Sequence, residues 1–139
     1  MNNLYQRQLL DLAREIREIP ALSGKIHTVS LKNPLCGDRV TLNVSLKNGV
    51  VAQRHIAVEG CALCAAGAGY WYKCAAGRSI DELRSLKDEL SAYLDGKIDH
   101  ITDAIEPFKA VKPLKNRHKC VLLALDASTA LADKLDRVL

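Results

Sequence analysis

At 139 residues the chain has the length of one domain with a single core, and no run of it nears the ~18 consecutive apolar residues that span a bilayer. A formal charge of +4 and an aromatic content of 4% leave few stacking platforms for single-stranded nucleic acid, so neither a membrane nor a nucleic acid is an expected partner. The opening residues lack the apolar stretch of a signal peptide, and the cysteine count of five is odd. A reducing, cytoplasmic setting is expected, in which the thiols are ligands, nucleophiles or core residues rather than a disulfide framework.

Residues 3 to 18 place Leu4, Leu9, Leu10, Leu12, Ala13 and Ile16 among polar residues at helical spacing, and Pro20 ends that helix. A short strand is predicted over residues 25 to 32. Val40, Leu42, Val44 and Leu46 alternate with polar residues, and Asn48-Gly49 supplies a hairpin turn before a third strand over 50 to 59. The alanine-rich segment from Cys61 to Ala76 reads as a helix that Cys61 begins. Ser79-Ile80-Asp81-Glu82 fits a capping box for the next helix, which Gly96 terminates. A further short helix is predicted over 99 to 108, and after Pro113 a last one, opened by Cys120, runs over 121 to 139. The expected fold is α+β, a three-stranded antiparallel sheet packed against several helices, in one domain spanning 1–139.

Cys36 and Asp38 flank Gly37, whose freedom to adopt positive φ lets both side chains reach one ion. Cys61 follows Gly60, and Cys120 follows Arg117-His118-Lys119. Each alone has an ordinary reading: a strand-entry loop, a small buried hydrophobe, a solvated basic loop. Together, three thiols and a carboxylate suit zinc or iron-sulfur iron, the carboxylate being the most exchangeable ligand. The gaps of 25 residues (61 minus 36) and 59 residues (120 minus 61) exclude a zinc-finger loop, so only a folded core brings the four together. Two of the cysteines fall at helix starts, where the dipole favours an ionised thiol, and Pro34 and Leu35 are expected to shield the site on one side. Three thiolates and a carboxylate give a formal charge of −2 around Zn²⁺ and again around an oxidised [2Fe-2S] core, which Arg39, Arg117 and Lys119 can offset in either case. Cys64 makes a CxxC with Cys61, roughly 60° around the helix, and stands as an alternative ligand, a resolving thiol or a core residue. Cys74 lies roughly 220° around the helix from Cys61 and is expected to be structural.

Asn-Pro-Leu-Cys-Gly-Asp-Arg (33 to 39), Gly-Cys-Ala-Leu-Cys-Ala-Ala-Gly (60 to 67) and Arg-His-Lys-Cys-Val-Leu-Leu-Ala (117 to 124) occur in this order. They resemble the U-type iron-sulfur cluster scaffolds, the IscU, SufU and NifU N-terminal family, from about Leu4 to the C-terminus. The resemblance implies the IscU/NifU-like fold and a site of Cys36, Asp38, Cys61 and Cys120 holding a transient iron-sulfur cluster or Zn²⁺. It also implies a cysteine desulfurase and recipient iron-sulfur apoproteins as partners. Arg117-His118-Lys119-Cys120 and the long segment 80 to 108 are similar to the SufU type. The family's His-Tyr-x-Asn-Pro-Arg-Asn is replaced by residues 12 to 18, and Val111-Lys112-Pro113-Leu114-Lys115 matches the IscU-type chaperone motif poorly, so no dedicated chaperone is expected. Cys64 is the chief departure, at a place where the family usually has a small residue. The leading reading is a scaffold and sulfur acceptor rather than an enzyme. A zinc-dependent sulfurtransferase partner of the desulfurase is the alternative, and a zinc-stabilised binding protein without sulfur chemistry a second.

Overall fold

The computed structural model describes residues 3–16, 22–35, 37–99 and 104–138. Helix α1 (Asn3–Arg14) leads to strands β1 (His27–Lys32), β2 (Arg39–Lys47) and β3 (Val50–Glu59), then to helices α2 (Ala62–Ala75), α3 (Ile80–Leu94) and α4 (His118–Val138). Two short 3₁₀ turns, Glu106–Val111 and Lys115–Arg117, join α3 to α4. The strands form one antiparallel sheet in the order β1-β2-β3, so the architecture is the α+β arrangement expected. Among the described residues no helix is long and apolar enough to cross a membrane.

Period-2 alternation decides which side of the sheet is covered. Val40, Leu42 and Val44 of β2 are fully buried, and Leu42 pairs with Val29 on one side and Ile56 on the other. The opposite face is polar: Thr28 donates to Asn43 Oδ1 at 2.7 Å, and Ser30 and Thr41 hydroxyls lie 3.1 Å apart. Asn48 (φ 55°) and Gly49 (φ 78°) make the tight β2–β3 turn that the Asn-Gly pair predicts. The strand register shifts by one residue between Ser45 and Leu46, close to that turn.

Helix α4 lies against β1, β2, α2 and α3, while α2 lies against β3, α1 and α4. Packed on several sides, α2 has to be thin. Its small residues Ala66, Gly67, Ala68 and Gly69 are buried, and a methyl group at Gly67 would stand 2.0 Å from the carbonyl oxygen of Val121 in α4. One at Gly69 would stand 1.7 Å from that of Leu12 in α1. Trp71 donates from Nε1 to Ser128 Oγ at 2.8 Å in the interior, a second tie between α2 and α4. Arg54 of β3 donates to the carbonyl of Tyr72 and stacks 4.0 Å over its ring.

The capping box is present: Ser79 Oγ accepts from Glu82 N–H, and Glu82 accepts from Ser79 N–H. Gly96 (φ 76°) closes α3 in a Schellman motif, its N–H donating to Tyr93 O and that of Lys97 to Ala92 O. Two expectations need correction. The helix predicted over 99 to 108 is a 3₁₀ turn at Glu106–Val111, with Pro107 at its start and Pro113 just past its end; residues 100–103 lie outside those described. Helix α4 begins at His118, so Cys120 sits inside its first turn rather than ahead of it. The first helix ends at Arg14, with Glu15 and Ile16 in a turn, short of the 3 to 18 expected; Pro20 lies outside the described residues.

Candidate metal centre

Asp38 is the last loop residue before β2. The β1–β2 loop is closed by Asn33, which is buried: its N–H donates to Asp38 O at 2.7 Å, its carbonyl accepts from Gly37 N–H at 2.8 Å, and its side chain accepts from Leu35 N–H at 3.1 Å. Gly37 takes φ 78°, the conformation its lack of a side chain permits. Cys36, expected as the fourth ligand, lies outside the described residues.

Cys61 is the N-cap of α2, with its sulfur accepting from Cys64 N–H at 3.5 Å. Its own N–H donates to Asp38 Oδ1 at 3.3 Å, and its Sγ lies 3.7 Å from Asp38 Oδ2. Gly60 makes this approach possible, because a methyl group there would stand 2.8 Å from Asp38 Cγ and Oδ1. Cys120 is buried at the start of α4, where Val121 rests on Gly67. One donor atom from each of Asp38, Cys61 and Cys120 lies within 4.8 Å of the other two.

That cluster fits a metal. Tetrahedral zinc with ordinary Zn–S and Zn–O bonds holds a sulfur and an oxygen about 3.6 Å apart, against the 3.7 Å between Cys61 Sγ and Asp38 Oδ2. Two soft sulfurs and one hard oxygen suit zinc or iron-sulfur iron, and both sulfurs stand at helix N-termini. Of the basic residues expected here, Arg117 turns to the sulfurs. Its hydrogen bond to Cys61, and the attraction of Cys61 and Cys120, hold its guanidinium above the usual arginine range. Its Nε is buried with no hydrogen-bond partner among the described residues. Lys119 lines a groove with Leu31, Pro34 and Leu35 instead, Arg39 is exposed at the first position of β2, and His118 Nε2 lies 3.0 Å from Val111 O and 2.9 Å from Lys112 O. The expected shielding by Pro34 and Leu35 is not found: both are exposed, Leu35 to 76%. Among the described residues the loop's hydrogen bonds run through Asn33, and the Leu35 side chain lines the exposed groove with Leu31 and Lys119.

The model of the family described as NifU-like N terminal domain matches residues 4–129. The chain belongs to the NifU-like N-terminal domain family. It is 28% identical over 130 residues to the zinc-dependent sulfurtransferase SufU of Bacillus subtilis (strain 168), covering 91% of this chain and 88% of that protein. It is 26% identical over 130 residues to the iron-sulfur cluster assembly scaffold protein IscU of Streptococcus pyogenes serotype M1, covering 91% and 81%. The crystal structure of a nitrogen-fixing NifU-like protein (N-terminal) from Brucella abortus superposes with a TM-score of 0.81 at 25% identity, covering 96% of this chain and 94% of that one.

The remaining two cysteines of this NifU-like domain separate cleanly. Cys64 is fully buried in the core one turn into α2. Cys74, near the other end of α2, is half-buried beside Tyr70; burial pushes its thiol up, against the pull of Arg78 and Lys73. Gly60 and Gly67, the first and last residues of the motif at 60 to 67, bring Asp38 and Cys120 to Cys61, a packing role the motif alone does not reveal. Their further signal is Gly, Ala or Cys at every position from 60 to 69 except Leu63, which marks backbone-to-backbone contact.

Proposed function

We propose that this chain is a scaffold and sulfur acceptor of iron-sulfur cluster biogenesis, working in the cytoplasm between a cysteine desulfurase and recipient apoproteins. The convergence of Asp38, Cys61 and Cys120 from three distant segments, in a NifU-like domain, carries the reading. Cys36 completes the ligand set in this proposal. Among the described site cysteines Cys61 is the more accessible, half-buried where Cys120 is buried, so it takes the sulfur. Its thiolate attacks the terminal sulfur of the desulfurase persulfide, the bond to the desulfurase cysteine breaks, and that cysteine leaves as a thiolate. The sulfane sulfur moves without net oxidation or reduction, and Arg117 stands where the transferred charge arrives. Iron, a second sulfur and a reductant that takes the sulfane sulfurs to sulfide then build the cluster, which is cargo; the carboxylate of Asp38 is the ligand an incoming acceptor displaces.

A zinc-dependent sulfurtransferase is the second reading, favoured by the likeness to SufU and by the placement of Arg117 beside Cys61. Bound zinc would hold the site thiolates together until one leaves to take sulfur. Metal and acid-labile sulfide content of the anaerobically isolated protein separates the two, and a desulfurase stimulation assay tests both. Iron with stoichiometric sulfide supports the scaffold, zinc without sulfide the sulfurtransferase. No stimulation of the desulfurase in either form would overturn both.

A further inference from the structure

We propose that Cys61 and Cys64 act as a dithiol that reduces sulfur carried on Cys61 to hydrosulfide, with Cys64 as the resolving thiol. The inference rests on the sulfur-acceptor reading above and adds a step to it. Cluster sulfur is sulfide, whereas the sulfur that arrives in a persulfide is two electrons more oxidised, so a reductant is needed at the site. The chain carries one.

Cys61 is the N-cap of α2 and Cys64 its third residue, and the sulfur of the first already accepts the N–H of the second at 3.5 Å. Side chains of a helix lean toward its N-terminus, which aims Cys64 back at the turn that Cys61 opens. In α3 the same two positions carry Ser79 and Glu82, whose side chains reach across that turn in both directions. Residues three apart on a helix have Cβ atoms about 5–6 Å apart, a spacing that small adjustment of the first turn closes to a disulfide. The two thiols differ in access: Cys64 is fully buried in the core, while Cys61 is half-buried and belongs to the donor cluster. Solvent oxidants and partner proteins are thereby kept from Cys64, while a sulfur on Cys61 stays one helical turn away.

The step balances. Cys64–SH attacks the inner sulfur of Cys61–S–S⁻, the S–S bond of the persulfide breaks, and the outer sulfur leaves as HS⁻ carrying the proton from Cys64. Two thiol sulfurs become the Cys61–Cys64 disulfide and the sulfane sulfur becomes sulfide, with no external oxidant or reductant in the first turnover. Arg117, beside Cys61, offsets the charge on the departing sulfur. A dithiol reductant must follow to reopen the pair for a second turnover.

The test uses the full chain as isolated, freed of added thiols, and inorganic polysulfide as the sulfur source with no desulfurase present. Wild type, Cys64→Ala and Cys74→Ala are compared, all in a Cys36→Ser/Cys120→Ser background because those site thiols, with the Cys120 sulfur within 4.8 Å of that of Cys61, could also attack the persulfide. Alanine at 64 suits the alanine-rich helix, and circular dichroism checks that the fold is retained. After gel filtration, intact mass and peptide mapping follow sulfur on Cys61, and a bimane reagent traps hydrosulfide. In wild type and Cys74→Ala, the extra sulfur on Cys61 gives way to a Cys61–Cys64 disulfide with release of hydrosulfide. In Cys64→Ala the persulfide persists roughly a hundredfold longer or more, as loss of an intramolecular nucleophile requires. A wild-type persulfide as long-lived as that of Cys64→Ala, or a map without the Cys61–Cys64 disulfide, overturns the proposal. A chain that resolves polysulfide sulfur in this way but accepts none from a desulfurase supports the dithiol and removes the sulfur-acceptor reading.

Discussion

Replacing Gly67 by alanine tests whether the packing of α2 on α4 sets the spacing of the two site sulfurs. The added methyl group would stand 2.0 Å from the carbonyl oxygen of Val121 and 2.9 Å from its carbonyl carbon. Both are backbone atoms, so no side-chain rotation relieves the contact, and opening 2.0 Å to the 3.4 Å of ordinary contact displaces α4 by about 1.4 Å. Cys120 is the residue before Val121, and metal–ligand distances tolerate only about 0.2 Å. Overpacking costs about 1–3 kcal/mol, and the better helix propensity of alanine returns about 1 kcal/mol, for a net loss near 2 kcal/mol at so short a contact. Gly69→Ala is the companion: its methyl would meet Leu12 O at 1.7 Å, straining the α1 side of the helix while leaving α4 in place. Both variants should lower the urea midpoint, but only Gly67→Ala should weaken zinc binding, by about tenfold or more in chelator competition, or roughly 1.4 kcal/mol. Wild-type zinc affinity in Gly67→Ala would refute the reasoning. Equal loss in Gly69→Ala would show general loosening rather than a local displacement.

Asp38→Ala should keep the fold, slow the departure of a bound cluster to an apo-ferredoxin followed by absorbance, and speed zinc loss to a chelator by about tenfold; a variant matching wild type in both assays puts Asp38 outside the ligand set. Ser128→Ala strips the partner from the buried Trp71 N–H and should cost about 1–3 kcal/mol in urea denaturation, while an unchanged midpoint would deny that tie any part in holding α2 to α4. Cys74 has its thiol pushed up by burial, so its contribution to stability is complete below the ordinary thiol pKa and fades as pH rises through the raised value. Iodoacetamide labelling with peptide mapping should show Cys74 alkylated only at higher pH than a model thiol, and a midpoint at or below that thiol's would contradict its burial.

Features governed by neighbours in the chain are legible in the sequence alone. Asn48-Gly49, the box from Ser79 to Glu82 and Gly96 each act through bonds within a few residues, and each is found where the pattern puts it. The alternation of Val40, Leu42 and Val44 likewise tells which face of β2 is covered. Three motifs far apart in sequence point to one site, and the structure brings Asp38, Cys61 and Cys120 together. What sequence does not reveal depends on contacts between distant segments. Nothing local says that Gly67 meets Val121 and Gly69 meets Leu12, or that Arg117 rather than Lys119 faces the sulfurs. The tight turn at Glu106–Val111 departs from the expected helix because apolar spacing over so few residues does not separate an α-helix from a 3₁₀ one.

Each described donor of the cluster stands at the beginning of an element: Asp38 just before β2, Cys61 at the cap of α2, Cys120 in the first turn of α4. Element ends open with far smaller free energies than the interior, because their amides are not yet locked into the repeating hydrogen-bond pattern. One donor can therefore swing away by a peptide unit while Val40, Trp71 and Val121 behind it stay sealed. Exchange at the site is thereby uncoupled from global unfolding. Core substitutions that raise the melting temperature should leave the off-rate of the cargo unchanged, and a heat-resistant version of this chain need not hold its metal any longer.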